Sequence, residues 1–225
     1  MPFAKNWVEE LIWEWLQLKG YVVLANLRLA SGRRGGAQEA DMIGLKLLKT
    51  LVVEGNQGFI REVLEIVHVE AGCLAGSYES NLNTIKKKFD PKRVDAIRRR
   101  ALEHVELESV YDKAFYGLSR YGVSSIRYRG LYIASYIPKD HVDKLKADLE
   151  KHCEELKNSI RDTDIKLEFL TLKELLEKEV ILTIDEWKKR QVQEGFKKTK
   201  EITLPDNLWL LNLIDFMKKS NLIKV

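Results

Sequence analysis

Two β-prone segments with acids at matching ends constrain this chain most. The stretch 38–72 opens Gln-Glu-Ala-Asp-Met-Ile-Gly, with Glu39 and Asp41, and closes Leu-Glu-Ile-Val-His-Val-Glu-Ala-Gly, with Glu70 ending an apolar run. Between them lies Gly55-Asn56-Gln57-Gly58, flanked by Leu51-Val52-Val53 and Phe59-Ile60. A turn composition between apolar runs predicts two strands joined by a hairpin. In an antiparallel pair the start of one strand lies near the end of the next, so Asp41 and Glu70 are expected together at one end. Side chains alternate along a strand, which gives Glu39 and Asp41 one face and His68 and Glu70 one face of theirs. Two carboxylates brought together repel unless a cation sits between them, and a hard divalent ion such as Mg2+ or Mn2+ answers that need. The plainer alternative is two strand-end acids in water.

Ahead of the hairpin, residues 6–19 carry Val8, Leu11, Ile12, Trp15 and Leu16 at helical spacing. Asn6 is placed to cap this helix, with Glu9 three positions on in a capping-box arrangement. Glu9 borders the apolar stripe and looks inward, either as a cap partner or as a site acid. Glu10 and Glu14 are expected to face solvent. A strand follows over 21–30. The Gly-rich loop 31–36 then carries Arg33 and Arg34, which fit either a phosphate contact or a solvated loop.

Behind the hairpin the pattern turns helical over 78–89, breaks at Asp90-Pro91 and resumes with Val94, Ile97, Leu102 and Val105. Lys86, Lys87, Lys88, Lys92, Arg93, Arg98, Arg99 and Arg100 fall in this region, opposed only by Asp90 and Asp95, so eight cations less two acids leave +6. Such a run reads as a footprint on nucleic acid or as a solvated helical face. Further on, a helical segment over 109–121 precedes a strand over 126–137. Next come a helix that Asp140 is expected to cap, with the stripe Val142, Leu145, Leu149, Cys153, Leu156, and a strand over 165–170. Helices are expected to begin at Asp185-Glu186-Trp187 and at Pro205-Asp206-Asn207, making 179–225 a helical extension of an α/β core over 1–178.

A chain of 225 residues with net charge +4 can bury its own core, and so mild a charge does not by itself select a nucleic-acid partner. Cys73 and Cys153 stand eighty positions apart and match no zinc spacing, which predicts a reduced, cytoplasmic setting. No apolar run reaches membrane-spanning length and no signal-peptide pattern opens the chain, so no membrane role is expected.

The order helix, three strands, helices, strand, helix, strand, with acids at these places, resembles the PD-(D/E)XK, restriction-endonuclease-like nucleases. The resemblance rests on Glu9 in the first helix, Glu39-Ala40-Asp41 opening the second strand and Val69-Glu70-Ala71 closing the third. The run Glu9-Glu10-Leu-Ile-Trp-Glu-Trp-Leu-Gln-Leu-Lys-Gly-Tyr-Val-Val, with the Ala30-Ser31-Gly32 loop, is similar to the opening of archaeal Holliday junction resolvases. It implies an α/β, restriction-endonuclease-like core: a central mixed sheet of about five strands flanked by helices. It also implies a metal-dependent nuclease that hydrolyses DNA phosphodiesters, with Asp41 and Glu70, helped by Glu9, holding Mg2+ or Mn2+. A homodimer would suit paired cuts in both strands. The family's lysine, two residues after the second acid, is Gly72 here. Lys46 has the wrong strand parity to replace it. Lys86 or Lys87 reaching back from the next helix, or Arg33 or Arg34 from the loop, would supply the charge, with Lys88, Lys92 and Arg93 completing a basic surface and Glu39 and His68 as secondary members. Two expectations stand together: an active nuclease whose basic residue has migrated, or an inactive nuclease-like module that binds nucleic acid or a protein partner.

Overall fold

A computed structural model describes residues 6–30, 38–54, 57–116, 125–194 and 202–223. It is α/β: a five-stranded mixed sheet with helices on both faces. In chain order the elements are α1 (Trp7–Leu18), β1 (Val22–Ala30), β2 (Gln38–Glu54), β3 (Gln57–Cys73), α2 (Tyr78–Lys88), α3 (Pro91–Tyr116), β4 (Ser125–Tyr136), α4 (Lys139–Ser159) and β5 (Thr163–Thr171). A helical run then comprises α5 (Leu172–Leu175), a π-helical turn (Leu176–Val180) and α6 (Ile181–Gln193), and α7 (Trp209–Lys219) follows.

The strands lie side by side in sequence order. β1, β2 and β3 run antiparallel to one another, while β3, β4 and β5 run parallel. Antiparallel neighbours need only turns, whereas each parallel step needs a crossover. α2 and α3 make the first crossover and α4 the second. Helices α2, α3 and α4 all cover one face, packing Ile85, Phe89, Ile97 and Leu149 on Ile43, Leu64, Ile66 and Tyr128. The other face is covered by α1, α6 and α7, which set Ile12, Trp15, Ile184 and Leu211 against Met42, Val67, Val69 and Leu131. Side-chain alternation therefore commits Asp41, with Ile43, and both His68 and Glu70, with Ile66, to the α2–α4 face.

The hairpin is the longest pairing in the sheet, with Met42 opposite Val69 at one end and Glu54 opposite Gln57 at the other. Of its expected turn over 55–58, Gln57 and Gly58 belong to β3, whereas positions 55–56, like the loop carrying Arg33 and Arg34, lie outside the described residues.

Three local expectations change. Glu14 does not face solvent. It is 1% exposed and accepts the backbone N–H groups of Leu210 and Leu211 at 3.1 and 2.8 Å. α1 is sandwiched between the sheet and α7, so the face that would point outward in a two-layer protein is interior here. Asp140 does not cap α4: the N-cap is Pro138, which makes no side-chain bond, and Asp140 sits inside the first turn. No helix begins at Asp185, because the helical run starts at a capping box formed by Thr171 and Glu174 and continues unbroken through that position. The division at 178/179 falls within this run, and Val180, Ile184, Leu208 and Leu211 share a core with α1. Among the described residues no helix is long and apolar enough to cross a membrane.

Candidate active site

The site is built at the end of the hairpin where β2 starts and β3 finishes. The register pairs Met42 with Val69, and one step further places Asp41 opposite Glu70. Both face α2 and α3. Asp41 accepts the N–H of Ala71 at 3.3 Å and lies within hydrogen-bonding reach of the Glu70 carboxyl. Burial, reinforced by the Glu70 charge, pushes its carboxyl up to about 6.

Glu70 is wholly buried and heavily compensated. His68 and Arg93 both reach Oε1, at 2.8 and 2.5 Å, and Lys88 Nζ reaches Oε2 at 2.5 Å. Burial alone would raise this carboxyl. The His68 hydrogen bond and the Arg93 and Lys88 charges outweigh it and hold it near 2. An uncompensated buried carboxylate is among the costliest groups a fold can carry, so these partners are the condition for Glu70 being interior. With Asp41 ionised, two negative charges face two positive ones.

Behind Glu70 runs a buried relay. Glu70 can only accept, so His68 donates through Nε2–H. Burial pushes the His68 pKa down, so the imidazole is neutral and its Nδ1 accepts the Tyr128 hydroxyl at 2.6 Å. Phe89, at the end of α2, stands edge-on to His68 with ring centres 5.0 Å apart. Gly130, the β4 neighbour of His68, makes that approach possible: a Cβ there would come within 2.9 Å of the Phe89 ring.

Position 72, where the resemblance would place a lysine, is filled rather than empty. A Cβ on Gly72 would lie 2.7 Å from the Tyr132 hydroxyl. Tyr132, from β4, is buried and stacked on Phe169 with ring centres 6.1 Å apart. Burial and the charges of Glu70 and Asp41 push its phenol up to about 12, so it stays protonated beside the acid pair.

The remaining expected residues scatter. Glu9 is buried at the N-terminus of α1, against the opposite sheet face, where Asn6 caps the helix and donates its side-chain N–H to Glu9 at 2.8 Å. It is not among the principal charges acting on Asp41 or Glu70. Glu39 contributes its backbone carbonyl, which accepts Arg93 at 2.5 Å. Lys86 turns towards α4, where its charge acts on Asp148 and Glu155, so the residue expected to reach back does not; Lys88, one half-turn on, does. Lys87 and Lys92 are exposed. Lys46 points to the other face and donates to the Lys19 carbonyl at 2.8 Å, as its parity requires. Much of the basic run is balanced locally: Arg99 pairs with Asp95 at 3.2 Å and Arg100 with Glu103 at 2.8 Å, while Arg98 donates to Thr163 at 2.9 Å.

Tyr128 and Tyr132 were invisible to sequence reasoning because β4 is far away in the chain. Their phase in β4, matched to His68 and Glu70 in β3, was the available signal.

As a place for a cation, the site offers two carboxylates. Asp41 is an under-solvated carboxylate held beside a second one, which suits a hard divalent ion, and Lys88, 34% exposed, is the charge such an ion would displace or share space with. Among the described residues no cluster of three or more His, Cys, Asp or Glu side chains is arranged to hold a metal. The acids brought together are therefore Asp41 and Glu70, without Glu9.

No family model matches the chain, and neither a curated protein nor a solved structure matches it.

Proposed function

We propose that this chain is a divalent-metal-dependent phosphodiesterase acting on DNA, of the restriction-endonuclease-like kind. The observation that carries the reading is the meeting of Asp41, Glu70 and Lys88 at one end of the hairpin, with Lys88 Nζ 2.5 Å from Glu70. Two carboxylates and a lysine are the chemistry that the resemblance requires. Here the lysine comes from the C-terminal turn of α2 instead of from position 72.

Asp41 and Glu70 would hold Mg2+ or Mn2+, which when bound polarises a phosphate and acidifies a water. The chain's own residues do the rest. His68 and Arg93 fix the Glu70 carboxylate in one orientation, with Tyr128 setting the His68 tautomer. Lys88, partly exposed at the mouth, offers a charge to a phosphate oxygen. Tyr132 offers a protonated hydroxyl where the family's lysine would stand. Phe89 closes the inner wall against water.

A second reading, an inactive module that binds nucleic acid, draws on Arg93. With Lys88 it already neutralises the pair, which then needs no ion. Cleavage of labelled duplex, branched and single-stranded DNA with Mg2+ or Mn2+ separates the two. The enzyme reading expects metal-dependent cutting that Asp41→Asn abolishes and Lys88→Met reduces by about a hundredfold. The module reading expects binding without cutting.

A further inference from the structure

The opposite face of the sheet carries a second charged feature that the acid pair does not explain. A cavity of about 440 Å3 lies between the C-terminal ends of α1 and α6, lined by Lys19, Tyr21, Lys46, Glu186, Lys189 and Arg190. Lys46 has the opposite strand parity to Asp41, so this cavity and the candidate active site are separated by the sheet.

Four cations and Glu186 line its wall, with Glu179 beside Lys19 and Glu65 beside Tyr21. Two of the four are held in place. Lys19 Nζ is bonded to Glu179 at 2.8 Å and lies 4.7 Å from the Trp15 ring centre. Lys46 Nζ donates to the Lys19 carbonyl at 2.8 Å and lies 5.4 Å from the Tyr21 ring centre. Lys46 thus offsets the negative end of α1, which would otherwise repel an anion. Glu65, opposite Lys46 in the β2–β3 register, acts on the Tyr21 hydroxyl. The other two, Lys189 and Arg190, are exposed, project from the last turns of α6 and have no carboxylate partner among the described residues. Cations used only to hold the fold together would be matched by acids. Here the fold positions two and adds two more over the same concavity, which falls in the size range of small-ligand sites.

We infer that this cavity is a phosphate-binding site, for a phosphate group presented either by a small polyphosphate ligand or by a nucleic-acid backbone. Two fixed ammonium groups set the floor, the Arg190 guanidinium supplies a planar fork for paired phosphate oxygens, and Tyr21 gives an aromatic wall. The site stands apart from the proposed hydrolysis and does not depend on it.

The test uses the full chain and two probes, pyrophosphate by calorimetry and a short DNA duplex by fluorescence anisotropy. Lys189→Gln combined with Arg190→Gln alters only exposed side chains and is checked for folding by circular dichroism. Lys157→Gln combined with Lys173→Gln removes equal charge elsewhere. We expect the first pair to weaken pyrophosphate binding by about tenfold or more, or to lower the salt slope of duplex binding by about two, while the second pair binds as the wild type does. Loss with pyrophosphate assigns a free phosphate ligand. Loss with the duplex alone assigns backbone phosphates. A wild type that binds neither probe, or a first pair indistinguishable from the second, overturns the inference.

Discussion

Glu70 and Glu14 are both interior glutamates, 0% and 1% exposed, and the fold handles them in opposite ways. Glu14 is answered by dipoles: two backbone N–H groups at the start of α7 donate to it, no cation approaches it among the described residues, and burial leaves its pKa raised. Glu70 is answered by charges: Arg93 and Lys88, with a hydrogen bond from the neutral His68 ring, hold it at about 2. Glu14 staples the C-terminal helix to α1 and has no second acid partnered across a strand. Glu70 has Asp41 beside it and a lysine with a third of its side chain in solvent. The lesson is that burial of an acid does not mark a functional site. What distinguishes Glu70 is that its compensation opens to solvent at one corner and its neighbour is left under-compensated.

The largest effect that would sharpen this contrast is the isosteric amide at each position. Glu70→Gln takes the direct counter-charge from Arg93 and leaves Lys88 only Asp41, and should cost about 3–5 kcal/mol in urea unfolding. Glu14→Gln keeps an oxygen for one of the two N–H groups and should cost about 1 kcal/mol, with faster amide exchange confined to Leu210 and Leu211. Equal losses would break the comparison.

Next in size is Gly72. Adding a methyl group there drives into the Tyr132 hydroxyl, which the Phe169 stack keeps from swinging away, so Gly72→Ala should cost about 1–2 kcal/mol. Most of that should return in the Tyr132→Phe background. A double-mutant cycle with no coupling would remove Tyr132 from the space in front of Gly72.

The smallest expected effect is in the pH dependence, and its sign differs between the two members of the pair. Glu70 is depressed from 4.5 to about 2, so the stability it contributes is full above 4.5 and is lost as pH falls towards 2. Asp41 is raised from 3.8 to about 6, so the folded chain binds more protons between those values and its stability falls as pH rises through that window. With EDTA present, the Glu70 gain gives way to the Asp41 loss between pH 3.8 and 4.5, so stability from this pair should peak there and fall towards pH 6. Asp41→Asn should flatten the alkaline side and stabilise the chain at pH 8. A wild-type melting profile that does not fall from pH 5 to pH 8 would contradict the raised carboxyl.

How much of this was legible in the sequence follows from the distance over which each signal acts. The hairpin, its phase and the meeting of Asp41 with Glu70 are local, because strand alternation and an antiparallel turn fix them within one segment. The order of helices and strands was readable for the same reason. Lys88 was named only as part of a basic surface, since the rotation of α2 over the sheet is set by Ile85 and Phe89 packing into a core that the chain assembles from distant strands. The one-sided reading of α1 failed at Glu14 because a helical wheel cannot show that α7 will form a third layer. It placed Glu9 at an inward border correctly, yet the burial it detected is on the face away from Glu70.

The most direct measurement of the central claim, that Asp41 and Glu70 form a cation-binding pair, is Mn2+ binding followed by electron paramagnetic resonance on the wild type and on Asp41→Asn. The account predicts a Mn2+ ion bound by the wild type, released by excess Mg2+ and lost in the variant. Equal binding by both proteins, or none by the wild type, would contradict it and leave the pair as a structural charge cluster.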